Sequence, residues 1–547
     1  MRTTSLVLAI LVFSLTAMAQ RHHPSSAPKP ARLLAGMGNH HHPISTKNPE
    51  AQRFFDQGLT LAFGFNHEEA VRSFQRAAEL DPESPMPHWG IALALGPNIN
   101  MPMDEAQHKR ARQAALEALK LAVKAPEHER AYVEALARRY SDDPKSDLRK
   151  LAVEYKDAMK ALCERFPDDL DAATLYAESL MDLRPWKLWS NDGQPAEATA
   201  EIIAGLESVL RRAPNHPGAN HYYIHAVEAS PNPERALASA KRLETLVPGA
   251  GHLVHMPGHI YMRTGDYAGA AASNIAAADA DRRYLQATGN EGSFYDLMYY
   301  GHNLHFLVAA HNMQGRYGDA RKTAEELVAR FAPAIAQMPM GEFYLPTPLF
   351  VLLRFQRWDE VLKTPAPDPR WTTTTGLWHY ARGVAFAAKG DAAKAAAERQ
   401  LLADMESKTP PELEFSAYFN KARTFLALAG SSLDARIASA RGERKLAIEY
   451  WKKAVEIYDS LNYGEPPEWY YPVRESLGGE LLRTGRPVEA EKVFREDLER
   501  NLRNPRSLFG LMESLIAQNR LVDADLVRRQ FQAAWHNADV QLRVEDL

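Results

Sequence analysis

The chain has one cysteine in 547 residues, Cys163, so no intramolecular disulfide can staple it. It lies in the apolar pattern Ala158-Met159-Ala161-Leu162 and reads as a small buried hydrophobe rather than a reactive thiol. An excess of one charge is also missing: 65 Lys and Arg oppose 69 Asp and Glu, for a formal net charge of -4. No basic block offsets that balance, which argues against a nucleic-acid binder. Beyond the N-terminus no stretch reaches the ~18 apolar residues that span a bilayer, so no membrane span is expected in the mature chain. Alternating strand-like patterns of useful length are absent too, which leaves an all-α chain. There is no Walker A loop, no G-x-G-x-x-G, no G-x-S-x-G and no H-E-x-x-H, so no nucleotide cofactor is expected.

What is present is the composition of a folded protein, with 45% hydrophobic and 24% charged residues, in a chain too long for one compact core. The start, Met1-Arg2-Thr3-Thr4, precedes an apolar run from Leu6 to Leu15 and then Ala17-Met18-Ala19. A basic start, a short apolar stretch and an A-x-A site describe a secretory signal peptide over 1–19, cut before Gln20. The expected location is therefore periplasmic or secreted. Residues 20–48, rich in Pro, Ser and His, read as a flexible leader in which His40-His41-His42 is a solvated tract.

From there the chain repeats with a period of 34 residues. In a unit beginning at Ala51, small and apolar residues fall at Phe54, Gly58, Leu61, Ala70, Phe74 and Ala77, and Pro82 ends the second helix. The same frame returns through Ile224, Val227, Ala236, Leu243 and Pro248, and then through Gly258, Tyr261, Gly265, Tyr267, Ala270 and Ala277. It recurs from Gly301 and again from Tyr471 with Gly478, Leu481, Gly485, Ala490 and Phe494. These units resemble the tetratricopeptide (TPR) repeat family, whose helix-turn-helix units stack into a solenoid. Segments such as His221-Tyr222-Tyr223-Ile224-His225 and His255-Met256-Pro257-Gly258-His259 also look like a group of exported bacterial TPR proteins. The resemblance implies a right-handed superhelix whose first helices line a concave groove with positions 2, 5, 9, 12 and 13. It implies no chemistry. Two solenoid halves are expected, 49–363 and 376–547, joined by the proline-rich Thr364–Thr375.

Histidines are concentrated on that inner face. Nine of the chain's 20 lie between residues 216 and 311. In the repeat frame His221, His255 and His305 take position 5, His225 and His259 position 9, and His252 and His302 position 2. Residues four apart on a helix have Cβ atoms ~5–6 Å apart. Helices pack at ~8–10 Å, so such pairs can bring imidazole nitrogens to the ~2.0–2.1 Å that a zinc ion needs. Imidazole suits copper, zinc or iron. Glu178 and Glu228 are candidates to complete the set, and Tyr222 and Tyr261 to orient its rings by hydrogen bonds. Such a shell should lose its ion below roughly pH 6, where free imidazole protonates.

Pro257 between His255 and His259, and about 16 extra residues before the next frame, both weaken this spacing. Trp89, at position 5 of its unit, can stack on a ligand or fill the core. Trp186 and Trp189, in an irregular stretch before the histidine-rich repeats, are candidates for a lid. Two functions stay open. One is a transition-metal protein, with metal-dependent catalysis as an extension. The other is a scaffold that binds a peptide or partner protein in the groove without metal.

Overall fold

The computed structural model describes residues 31–143, 145–415 and 420–547; the signal peptide expected over 1–19 lies outside them. The described residues form helices joined by short turns, with isolated bridges such as Trp189–Pro195 and no strand among them. Consecutive helices pack side by side, as in Pro49–Phe63 on His67–Leu80 and Arg474–Arg483 on Pro487–Arg500. This is an all-α solenoid of paired helices.

The reason for the pairing is visible at the small positions of the repeat. A Cβ on Gly58 would lie 2.7 Å from the Phe74 ring, and one on Gly90, in the next repeat, 2.5 Å from it. Phe74 is thus a wedge between two glycine faces. The device recurs near the C-terminus, where Phe494 sits between Gly478 and Gly510 at 2.4 and 2.2 Å. Helix starts are defined by side chains: Asn48 Oδ1 accepts from the backbone of Glu50 and Ala51, and Asn66 Oδ1 from Glu69.

Three expectations about organisation change. Residues 31–48 are not a loose leader but pack on the repeats: Gln57 Nε2 donates to Arg32 O at 2.8 Å, and Gly249 N to Gly36 O at 2.8 Å. Leu33, Leu34 and Met37 lie against the core, and Ile44 is part of it. The apolar core changes earlier than Thr364–Thr375. One cluster runs from Ile44 to Tyr344 and a second from Leu349 to Leu547, while the threonines open a helix, Thr372–Ala388. Finally, the histidine-rich repeats do not line an open groove. The second half folds back on them: Asn191 Nδ2 donates to Leu461 O at 2.9 Å, Tyr267 Oη to Leu502 O at 2.9 Å, and Tyr317 N to Asp539 Oδ1 at 2.8 Å. No helix among the described residues is long and apolar enough to cross a membrane.

Candidate metal centre

Six imidazoles meet where three repeats stack. Helix Pro217–Val227 presents His221 and His225, one turn apart. The next repeat starts with the short helix Gly251–His255, carrying His252 and His255, and resumes at Pro257–Thr264 with His259. Pro257 does break the helix, yet His255 and His259 still face one another. His302 comes from Gly301–Gln314, which follows a π-helical segment, Tyr295–Tyr300, in the inserted residues. His221, His255 and His259 are fully buried, His252 is 2% and His225 6% exposed.

The outward nitrogens are held one by one. Nδ1 of His221 meets Phe63 O at 2.6 Å and that of His255 meets Asn274 Oδ1 at 2.7 Å. Asn274 Nδ2 donates to Ala270 O, which leaves its oxygen for His255. Glu228 takes two rings at once: His225 Nδ1 lies 2.7 Å from Oε1, and His259 Nδ1 bonds to Oε2. Each of these acceptors requires the proton on Nδ1, so in the neutral ring each Nε2 is a bare lone pair turned inward.

Inward, those lone pairs converge. His255 Nε2 lies 2.8 Å from His259 Nε2 and 3.1 Å from His302 Nε2. His221 Nε2, His225 Nε2 and both ring nitrogens of His252 are buried with no hydrogen-bond partner from the protein. One proton on His259 would satisfy its contact with His255. It would serve none of the others, because the Nε2 of His255 has a single in-plane lone pair. Two triplets, His221/His225/His252 and His255/His259/His302, each offer one nitrogen per residue within 4.8 Å of the others. That is a geometry a metal ion can take.

Electrostatics agree. Burial pushes the imidazoles of His221, His252, His255 and His302 well below the usual value, and neighbouring rings push them further; His225 is lowered mainly by burial. Burial raises the Glu228 carboxyl, but His259 and His225 outweigh it and hold it at about 2. Burial thus favours the neutral form of His221, His225, His252, His255 and His302, the form that ligation requires.

Aromatic walls enclose the group. Phe65 lies on the first triplet, 4.6, 6.1 and 5.6 Å from His221, His225 and His252, and Phe306 on the second, 4.9, 4.9 and 5.6 Å from His255, His259 and His302. Trp186 sets its edge against His225 at 5.5 Å, and Trp189 Nε1 donates to Ala226 O at 2.8 Å, so the irregular stretch covers the centre.

Several expected residues lie elsewhere. His305 is one turn, ~4.5 Å, along its helix from His302; it faces Phe343 and Tyr344 with ring centroids 5.9 and 5.4 Å away, outside both triplets. Glu178 joins a buried group with Asp182 and Arg139, and burial and then Asp182 raise its carboxyl well above the usual range. Tyr222 packs its ring on Phe63 and Phe65, and Tyr261 Oη donates to Glu244 at 2.5 Å, so neither orients an imidazole by a hydrogen bond that the structure shows. Trp89 is core, edge-on to Tyr132 at 5.3 Å. His252, expected as a neighbour of the set, is a full member.

A second histidine group was missed. His40 and His216 Nε2 lie 2.9 and 3.0 Å from Asp171 Oδ1, and His42 Nδ1 lies 2.8 Å from Oδ2. This group works differently. His216 Nδ1 accepts from Ala219 N as a helix cap, so its Nε2 must carry the proton and donate to Asp171. Despite burial, Asp171 raises the His42 imidazole above its usual value. The group is a hydrogen-bonded anchor that ties residues 31–48 to the repeats.

Beside the centre a cavity of about 680 Å³ opens between the two halves, lined in part by Arg263, Tyr463, Glu465, Glu468, Trp469 and Tyr470. Tyr463 Oη donates to Glu465 Oε1 at 2.6 Å and stands 3.5 Å from Glu228 Oε2, which connects the cavity wall to the carboxylate of the centre.

No protein-family model and no curated relative matches the chain. Among solved structures it aligns with yeast Tom70 at 11% identity, over 88% of this chain and 97% of that one, with a TM-score of 0.31. It aligns with the human IFIT1 dimer with m7Gppp-AAAA at 14% identity, over 90% and 91%, with a TM-score of 0.32. Likeness at this level carries nothing about function.

Proposed function

We propose that this chain is an exported TPR-type solenoid that holds a transition metal, copper, zinc or iron, among His221, His225, His252, His255, His259 and His302. The observation that carries the reading is the pairing of roles on four of the rings, His221, His225, His255 and His259: Nδ1 is given to Phe63 O, Asn274 or Glu228, and Nε2 is turned inward, where the protein gives those of His221 and His225 no hydrogen-bond partner. Neutral imidazole on a fixed tautomer is the form that ligates. Three protein ligands leave a position open on an ion, as in catalytic sites, so the centre suits metal-dependent chemistry as well as storage or transfer. Export rests on the signal-peptide pattern of 1–19 and puts the protein in the periplasm or outside the cell.

The test is elemental analysis of untagged protein together with the pair H225A and H259A. Wild type should retain near-stoichiometric metal, and each variant should lose metal while keeping its helical circular dichroism. Metal-free wild type that shows no thermal shift with copper, zinc or iron would refute the reading.

The cavity supports a second reading, a scaffold that binds a basic peptide without metal. Glu468 Oε1 is buried with no hydrogen-bond partner, while its other oxygen accepts from Asn420. The rings of Trp469 and Tyr470, 5.3 Å apart, line the same cavity and can face a cationic side chain. Quenching of tryptophan fluorescence by a lysine-rich peptide, abolished in E468Q, would support this scaffold.

A further inference from the structure

Each triplet is complete without the other. Helix Pro217–Val227 and residue 252 build the first, while residues 255 and 259 with helix Gly301–Gln314 build the second. Each has three buried or half-buried imidazoles and one phenylalanine ring against all three, Phe65 on one side and Phe306 on the other. The two sets abut: His252 lies 5.6 Å from His255 and His225 5.4 Å from His259, centroid to centroid. Glu228 spans the seam, with one oxygen on a ring of the first set and the other on a ring of the second. A tetrahedral ion such as zinc takes four ligands, fewer than the six imidazoles here.

Resting on the metal-binding reading above, we infer that the centre holds two ions, one per triplet, and that the pair is copper in its monovalent state. Charge decides the metal. Ligating imidazoles are neutral, so the six rings and the Glu228 carboxylate that holds two of them total -1. Two monovalent ions bring the buried group to +1, whereas two divalent ions bring it to +3. An uncompensated charge buried in protein is strongly disfavoured. Of copper, zinc and iron, copper alone has an accessible monovalent state.

The experiment counts ions. Metal-stripped full-length protein is titrated anaerobically with Cu(I) against a chromophoric chelator, beside H221A, which damages only the first triplet, and H302A, which damages only the second. Wild type should saturate at two equivalents and each variant at one, with the helical signal unchanged. Saturation of wild type at one equivalent, or any count other than one in a folded variant, overturns the pair but leaves the metal-binding reading standing. No retained copper in wild type overturns the pair, and retention of no zinc or iron either overturns both. Should a variant fail to fold, H221Q and H302Q replace it, and the wild-type count decides by itself.

Discussion

His225 and His259 hold the same carboxylate. They occupy equivalent positions of consecutive repeats, 34 residues apart, and each turns Nδ1 to a different oxygen of Glu228. One side chain thereby fixes two rings, their tautomers and the direction in which both bare nitrogens point.

Glu228→Gln should therefore disturb two ligands at once. The amide keeps the shape, loses the charge and turns one acceptor into a donor that clashes with a ring N–H. We expect metal affinity to fall about 10- to 100-fold, the range seen when a partner of a ligating histidine is removed. Copper competition titration measures it, and affinity within twofold of wild type would contradict the role given to Glu228.

Position 305 separates the sequence reading from the structural one. His305→Ala should leave metal content unchanged, because its ring packs on Phe343 and Tyr344, whereas His302→Ala should lower it. Elemental analysis of the two variants distinguishes the residues.

Acid should destabilise the metal-free fold. Burial, the largest cause in each case, pushes His67, His305 and His311 down to about 4. These rings stay neutral in the folded chain while the unfolded chain protonates them below about 6.5. Their contribution is therefore full above 6.5 and is lost as pH falls toward 4, each ring costing up to about 1.4 kcal/mol per pH unit. Thermal midpoints of stripped protein should fall across that window and flatten below it. The lowered values of His221, His225, His252, His255 and His302 also move acid loss of metal below the pH of roughly 6 expected for free imidazole.

The glycine faces that set helix spacing have little tolerance. A Cβ on Gly510 would stand 2.2 Å from the Phe494 ring, which has Gly478 behind it and nowhere to move. Gly510→Ala should cost about 1–3 kcal/mol by overpacking and lower the thermal midpoint. An unchanged midpoint would mean that the repeats can slide apart.

The repeat frame was legible because period and small residues act locally: Gly58, Ala70 and Phe74 say where two helices touch before any tertiary contact is known. The same frame picked out His221, His225, His255, His259 and Glu228. It misjudged His305 because the insertion before Gly301 shifts the helix along the stack, and spacing alone cannot show a shift. Asn274 and the carbonyl of Phe63 were invisible, since a backbone oxygen has no sequence signature and an asparagine few. The anchor of His40 and His42 on Asp171 joins residues some 130 positions apart, a distance no local pattern reaches. Burial of the cluster was missed for a related reason: the cover comes from the second half of the chain and from the loop of Trp186 and Trp189.

The most direct test of the central claim is an anomalous difference map from crystals of untagged protein, recorded at the absorption edge of the metal it carries. The account predicts density among the Nε2 atoms of His221, His225, His252, His255, His259 and His302. Anomalous density confined to other parts of the chain, such as the surroundings of Asp171, would contradict it.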